Sequence, residues 1–198
     1  MLDTTKVLVR GGGDLASGVV YRLHRSGMRV MVVELPQPLV IRRAVSFASA
    51  IFEGSVEVEG AVAHHAESLE QALQILDLGE IPVLADPEAR VALQWRPDVL
   101  VDAILAKRNI GTRITDAPIV IGLGPGFVAG VDVHAVVETK RGHYLGRVIL
   151  EGSAVPDTGI PGEVMGYTRE RVLRAPTSGT LRALKTIGDS LEAGEAAA

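Results

Sequence analysis

The chain has 198 residues, with 20 Lys and Arg against 24 Asp and Glu, 47% hydrophobic residues, 22 Gly and no Cys. That aliphatic content at a net charge of −4 describes a globular chain of one domain or two small ones, not a disordered one. The missing cysteines exclude a disulfide framework, a thiolate zinc site, an iron–sulfur cluster held by this chain and a cysteine nucleophile, and the acidic balance argues against nucleic acid as a partner. Residues 1–6 hold no basic stretch leading into an apolar one, and no run reaches the roughly 18 apolar residues of a spanning helix, so a cytoplasmic address without membrane contact is expected. With aromatics at 4%, the core must be packed by Val, Leu, Ile and Ala, as in parallel sheets.

Residues 6–10 are a β-branched run ending in Gly11-Gly12-Gly13-Asp14, after which residues 15–26 carry Leu15, Val19, Val20 and Leu23 at helical spacing. Gly27 suits a helix C-terminus, and residues 28–35 form a second strand, completing a βαβ unit. Between residues 36 and 54, Val40, Ala44, Phe47, Ala48 and Ile51 mark one face of a helix carrying Arg42 and Arg43. Residues 55–63 read as a strand, 68–78 as an amphipathic helix, and 81–85, 99–103 and 119–123 as buried strands. This alternation predicts an α/β architecture with a mainly parallel sheet. Residues 131–139 and 143–151 then alternate as strands joined by Lys140-Arg141-Gly142, an antiparallel hairpin. Residues 153–171 read as a loop or linker, and residues 172–198 as short β segments with turns at Thr177-Ser178-Gly179 and Ile187-Gly188-Asp189.

Gly11-x-Gly13-x-x-Ala16, after a strand and opening a helix, fits the spacing of a dinucleotide fold. The first glycine permits the tight turn, the second lets backbone approach a diphosphate, and the small third residue lets helix pack on strand, while free N–H groups at the helix start favour an anion. Glu34, about twenty residues on at the end of the second strand, stands where such folds place the carboxylate that accepts ribose hydroxyls. Asp14 inside the loop would repel a diphosphate unless it turned outward to cap the helix. The other reading of the same glycines is a tight turn with no ligand.

Gly122-Leu123-Gly124-Pro125-Gly126-Phe127 follows another strand, so Gly122, Gly124 and Gly126 either line the same cleft with backbone N–H groups or make a turn at the sheet edge. Lys107, Arg108 and Asn109 follow a predicted strand and either reach an anionic ligand or form a solvated turn. Period two puts Asp132, His134 and Glu138 on one strand face, with His143 arriving from the hairpin partner; the alternatives are a metal or proton-transfer site and an ordinary half-exposed strand. His24, His64 and His65 lack such company. No Ser-His-Asp order, P-loop or H-E-x-x-H is present.

Residues 9–18, 34–38, 42–47, 122–127 and 134–143, read together as V-R-G-G-G-D-L-A-S-G, E-L-P-Q-P, R-R-A-V-S-F, G-L-G-P-G-F and H-A-V-V-E-T-K-R-G-H, resemble the YqeB family. These are accessory proteins of the selenium-dependent molybdenum hydroxylase system, distantly similar to XdhC-type maturation factors. The resemblance implies a Rossmann-like domain over residues 1–152 and a cytoplasmic role in maturing a molybdenum hydroxylase, with that hydroxylase or its cofactor-assembly proteins as partners. It does not supply a reaction. A molybdopterin dinucleotide, or another nucleotide-bearing small molecule, would suit a Rossmann cleft.

Residues 172–198 are similar to the first half of a biotinyl/lipoyl-type barrel-sandwich module, without the second half and without a Lys in a hairpin-tip context, so the segment looks truncated. Edge strands left open there would pair with another copy, giving a homodimer. Three functions follow: a maturation factor holding a nucleotide-bearing cofactor, an NAD(P)-dependent oxidoreductase in which Glu34 favours NAD, and a non-catalytic scaffold docking on the hydroxylase.

Overall fold

Alternation along β1 (Lys6–Arg10) sends Leu8 to one face of a sheet and Val7 and Val9 to the other, and all three are buried. A strand buried on both faces needs cover on both, which is what helices between parallel strands provide. A computed structural model describes residues 4–160, 162–172, 174–179 and 181–197 of the chain. Residues 1–3, Pro161, Leu173, Thr180 and Ala198, which the sequence reading placed in the chain start, the loop, the β segments and the Ala-rich end, lie outside them.

The remaining elements of the sheet unit are α1 (Asp14–Arg25), β2 (Arg29–Glu34), α2 (Ala50–Glu53), β3 (Ser55–Val58), β4 (Ala61–Ala66), α3 (Leu69–Asp77), β5 (Ile81–Ala85), α4 (Ala92–Trp95), β6 (Val99–Asp102), β7 (Ile119–Leu123), β8 (Ala135–Val137) and β9 (Val148–Ile149). The nine strands form one mixed sheet in the order β3-β4-β5-β2-β1-β6-β7-β8-β9. From β4 to β8 every neighbouring pair is parallel, while β3 and β9 pair antiparallel with β4 and β8. The chain therefore winds outward from β1 through β2, returns to the other side of β1 with β6, and leaves a reversal between β1 and β6. One face packs Leu8, Met31, Leu100 and Val120 in one cluster with Ala72, Ile75 and Leu76 of α3, Trp95 of α4 and Phe127. The other packs Val9, Val32, Val83 and Val101 under Ala16 and Val20 of α1 and under Phe47. Among the described residues, no helix is long and apolar enough to cross a membrane.

The α/β architecture, mainly parallel with an antiparallel hairpin near its end, is as the sequence predicts, but four local expectations differ. The strand expected over residues 55–63 is the hairpin β3–β4, because Glu59 and Gly60 take φ of 53° and 76°, positive at both central positions as the twist of a two-residue hairpin turn requires. The helix expected across residues 36–54 is broken into 3-10 turns at Arg43–Val45 and Phe47–Ser49 and the single turn of α2. The N–H groups of Phe47 and Ala48 donate instead to Ser17 Oγ and Gly12 O, so the glycine loop takes the bonds a helix would have used. The strands expected over 131–139 and 143–151 shrink to β8 and β9, since Gly130 N donates to Val133 O and Asp132 Oδ2 accepts from Val128 N, closing a turn where the first strand would start.

The first compact unit runs Met1–Asp157 and the second Thr158–Ala198. The first passes residue 152 because Ala154 is buried in the core and Val155 N donates to the Glu138 carboxylate at 2.8 Å. Among the described residues of 172–198 there is no strand, in place of the β segments expected there. Local side chain to backbone bonds shape that chain instead: Asp189 accepts from Thr186 N, Glu195 from Glu192 N, and Lys185 pairs with Glu195.

Candidate functional site

The carboxyl ends of β1, β2 and β6 open on a cleft of about 420 Å³. Its floor is the glycine loop, and three glycines there do three different things. Gly11 has φ +94°, and a Cβ on it would stand 3.0 Å from Ala103 O and 3.1 Å from Ile104 Cα, so β6 closes over it. A Cβ on Gly12 would stand 2.9 Å from Ala48 N, so the loop and the 47–49 turn touch backbone to backbone. Gly13 has nothing within 4 Å of that position and lines the cleft. It is the N-cap of α1 and has no side chain to cap with, so the first N–H groups of a twelve-residue helix face that space unbonded by any cap side chain.

Around this loop the expected residues are gathered. Ala16 is buried where α1 meets the sheet and also lines the cleft. Glu34 lines it too, and its Oε1 accepts from Gly12 N at 2.8 Å while Oε2 accepts from Leu35 N at 2.7 Å. The carboxylate thus braces the glycine loop, with a second lone pair on each oxygen left for a hydroxyl. Asp14 does not cap the helix. Its Oδ2 lies 2.5 Å from Arg42, which compensates the charge that would repel an anion. The rest of the wall is mostly apolar, with Leu35, Leu39, Ile41, Ile104, Leu105 and Ile110, and includes the charged Arg10. Leu39 and Ile41 are almost fully exposed, at 88% and 89%.

Lys107, Arg108, Asn109, Gly122, Gly124 and Gly126 do not line this cleft. Asn109 shapes its own loop, with Nδ2 donating to Thr112 O and Oδ1 accepting from the N–H groups of Gly111 and Thr112. A Cβ on Gly122 would meet the Phe127 ring at 2.5 Å, one on Gly124 would meet Thr139 Oγ1 at 2.6 Å, and one on Gly126 would meet Arg108 Cα at 2.6 Å. All three glycines of the second loop are packed against protein, whereas Gly13 of the first stays open.

Asp132, His134 and His143 are likewise engaged apart from each other. Asp132 accepts from Val128 N, His134 Nδ1 accepts from Val120 N at 2.9 Å, and His143 stacks edge-on against Tyr144. Among the described residues, no group of three or more His, Cys, Asp or Glu could hold a metal ion. Glu138 is buried, which by itself pushes its carboxyl up, but the N–H groups of Val155, Lys140 and Thr139 and the Lys140 charge outweigh burial and hold it below the usual carboxylate range.

Sequence reasoning missed Arg10, Asp102, Thr112 and Ser17. Arg10 and Asp102 face each other across the β1–β6 register, both buried, with Thr112 Oγ1 accepting from Arg10 and donating to Asp102 Oδ2 at 2.5 Å. The available signal was a charge of opposite sign ending each of two strands with apolar centres. Ser17 Oγ donates to Gly12 O and accepts from Phe47 N, stitching α1, the loop and the 47–49 turn together.

Over 189 residues, 96% of its length, the chain is 48% identical to the uncharacterized protein YqeB of Escherichia coli strain K12. That similarity supports the YqeB family. The chain spans about a third of that relative's length, 35%, so the match covers the glycine loop, the cleft and the second loop of a longer YqeB sequence. No family model matches the chain, and no solved structure does.

Proposed function

We propose that the chain is a Rossmann-like accessory factor of a selenium-dependent molybdenum hydroxylase system that binds a nucleotide-bearing small molecule in the β1–β2–β6 cleft. The observation that carries the binding half of this reading is Gly13, a small residue at the start of α1 with open space before it in the cleft. Open α/β sheets bind ligands at the carboxyl ends of their strands where the winding reverses, and this cleft lies at the reversal between β1 and β6. The N–H groups opening α1 would hold a phosphate, the Glu34 oxygens would accept ribose hydroxyls, and the Ile104–Leu105 wall would cover an apolar ring system. The hydroxylase context, the cytoplasmic setting and the hydroxylase or its cofactor-assembly proteins as partners rest on the resemblance to YqeB proteins.

The test is extraction of the purified protein and mass spectrometry of the released small molecules, with Gly13→Asp as the comparison. A pterin dinucleotide or other nucleotide present in the wild type and lost in the variant supports cofactor handling. NAD in its place would transfer the cleft to an oxidoreductase, in which the Glu34 carboxylate favours NAD over NADP. An empty wild type with no thermal shift on adding nucleotides would defeat ligand binding and leave a scaffold that docks on its partner.

A further inference from the structure

Residues 103–108 leave the end of β6 between the two glycine loops, because β6 lies between β1 and β7 in the sheet. The first loop meets their start, where a Cβ on Gly11 would stand 3.0 Å from Ala103 O and 3.1 Å from Ile104 Cα. The second loop meets the rest: a Cβ on Gly124 would stand 3.2 Å from Leu105 Cδ2, and one on Gly126 2.6 Å from Arg108 Cα. Ala103, Ile104 and Leu105 also line the cleft. Leu105 thus borders the cleft while its Cδ2 lies next to Gly124, a residue outside the cleft.

Hydrogen bonds fix only the two ends of this segment. Ala103 N donates to Arg10 O and Ile104 N to Asp102 Oδ1, and Asn109 closes the turn beyond Arg108 through Thr112 and Gly111. Among the described residues, residues 105–108 make no hydrogen bond and no ion pair. Yet Leu105 and Lys107 both hold a left-handed backbone, with φ of 58° and 64°. For a bulky side chain that conformation is an outlier, and it persists only where the surroundings impose it. Here packing imposes it: Leu105 rests on the core cluster that holds Val9 and Val101, and the second glycine loop closes on it from the β7 side. Gly124 is itself pinned, since its N–H donates to Val137 O at 2.8 Å and its Cβ position lies 2.6 Å from Thr139 Oγ1. A side chain there would be caught between Thr139 and Leu105 and would push the cleft wall.

We propose that the second glycine loop positions the ligand-facing wall of the first. Gly124 is a positioning residue that acts through Leu105, and the absence of a side chain on it keeps residues 103–105 at the spacing the cleft needs. The identity of what this wall covers rests on the nucleotide reading above; the positioning does not.

The chain has no cysteine, so a single introduced thiol reports on its own position. Ile104→Cys places one in the wall, and Leu35→Cys places one on the β2 side of the same cleft. Alkylation by iodoacetamide is timed for each, alone and combined with Gly124→Ala, with circular dichroism to check folding and with ADP added or withheld. Gly124→Ala should change the rate of the wall thiol about threefold or more and leave the Leu35→Cys thiol nearly unchanged, because access follows the local structure around each thiol. General loosening would move both. With Leu105→Ala also present, Gly124→Ala should no longer alter the wall rate, since the side chain that transmits the push is gone. Where Gly124→Ala does not fold, Leu105→Ala alone decides, by a rate change confined to the wall thiol. An unchanged wall rate, equal changes at both thiols, or a change that persists without the Leu105 side chain overturns the positioning role, even if ADP slows alkylation. A wall-confined change with no slowing by ADP at either thiol keeps the positioning role and removes the nucleotide reading. Slowing by ADP that needs about threefold more ADP in Gly124→Ala supports both.

Discussion

The two glycine loops end parallel strands in the same sheet, yet the first keeps one glycine, Gly13, open while all three glycines of the second are filled. At the first, Gly13 looks into the cleft and Glu34 braces the loop from β2. At the second, Phe127, Thr139 and the Arg108 backbone occupy every place a side chain would take. Nearby Glu138 is buried and ties residues 140 and 155 together. Glycine at a strand end thus serves two opposite needs, admission of a ligand and admission of the protein's own atoms. Only the second leaves a large mark on stability.

The sharpest way to break that contrast is Gly126→Ala. Its φ of +115° and a Cβ 2.6 Å from Arg108 Cα against backbone leave no soft neighbour to move, so the variant should lose about 3 kcal/mol in urea unfolding. A loss below about 0.5 kcal/mol would mean the second loop is as free as the first.

A smaller effect is expected at Glu138→Gln, which removes the charged acceptor of the Val155, Lys140 and Thr139 N–H groups and should cost about 1–3 kcal/mol at pH 7. Because the folded carboxyl lies below its ordinary value of 4.5, its stabilisation is complete above that value and disappears as the pH falls through the lowered one. Urea midpoints of wild type and variant should therefore converge as the pH falls below the ordinary value of 4.5. Equal separation at every pH would assign the loss to packing alone.

The smallest change is expected from Gly13→Ala. With φ of −65° and nothing within 4 Å, unfolding should move by no more than about 0.5 kcal/mol, while any nucleotide bound in the cleft is held less tightly. A stability loss as large as that of Gly126→Ala would make the first loop a packing turn as well.

Residue patterns carried the elements whose signals are local. Ser68 caps α3 by accepting from Gln71 N, and β5 and β7 match the apolar runs at 81–85 and 119–123, because caps and strand burial are written in adjacent residues. The hairpin turn at Glu59-Gly60 was hidden because Gly60 lies within an alternation that continues across it. The broken helix at residues 36–54 was hidden because its N–H groups are claimed by Ser17 and Gly12, some thirty residues away in sequence.

By itself, then, the sequence determined an α/β chain with a glycine turn opening α1 and Glu34 at the end of β2, since strand periodicity, glycine and caps act over a few residues. Tertiary structure alone decided which glycines stay open, that Asp14 is answered by Arg42, and that Arg10 meets Asp102 and Thr112 beside the cleft. Those outcomes depend on the β1–β6 register and on side chains brought together from segments as far apart as residues 10 and 112, distances over which no local pattern in the chain carries information.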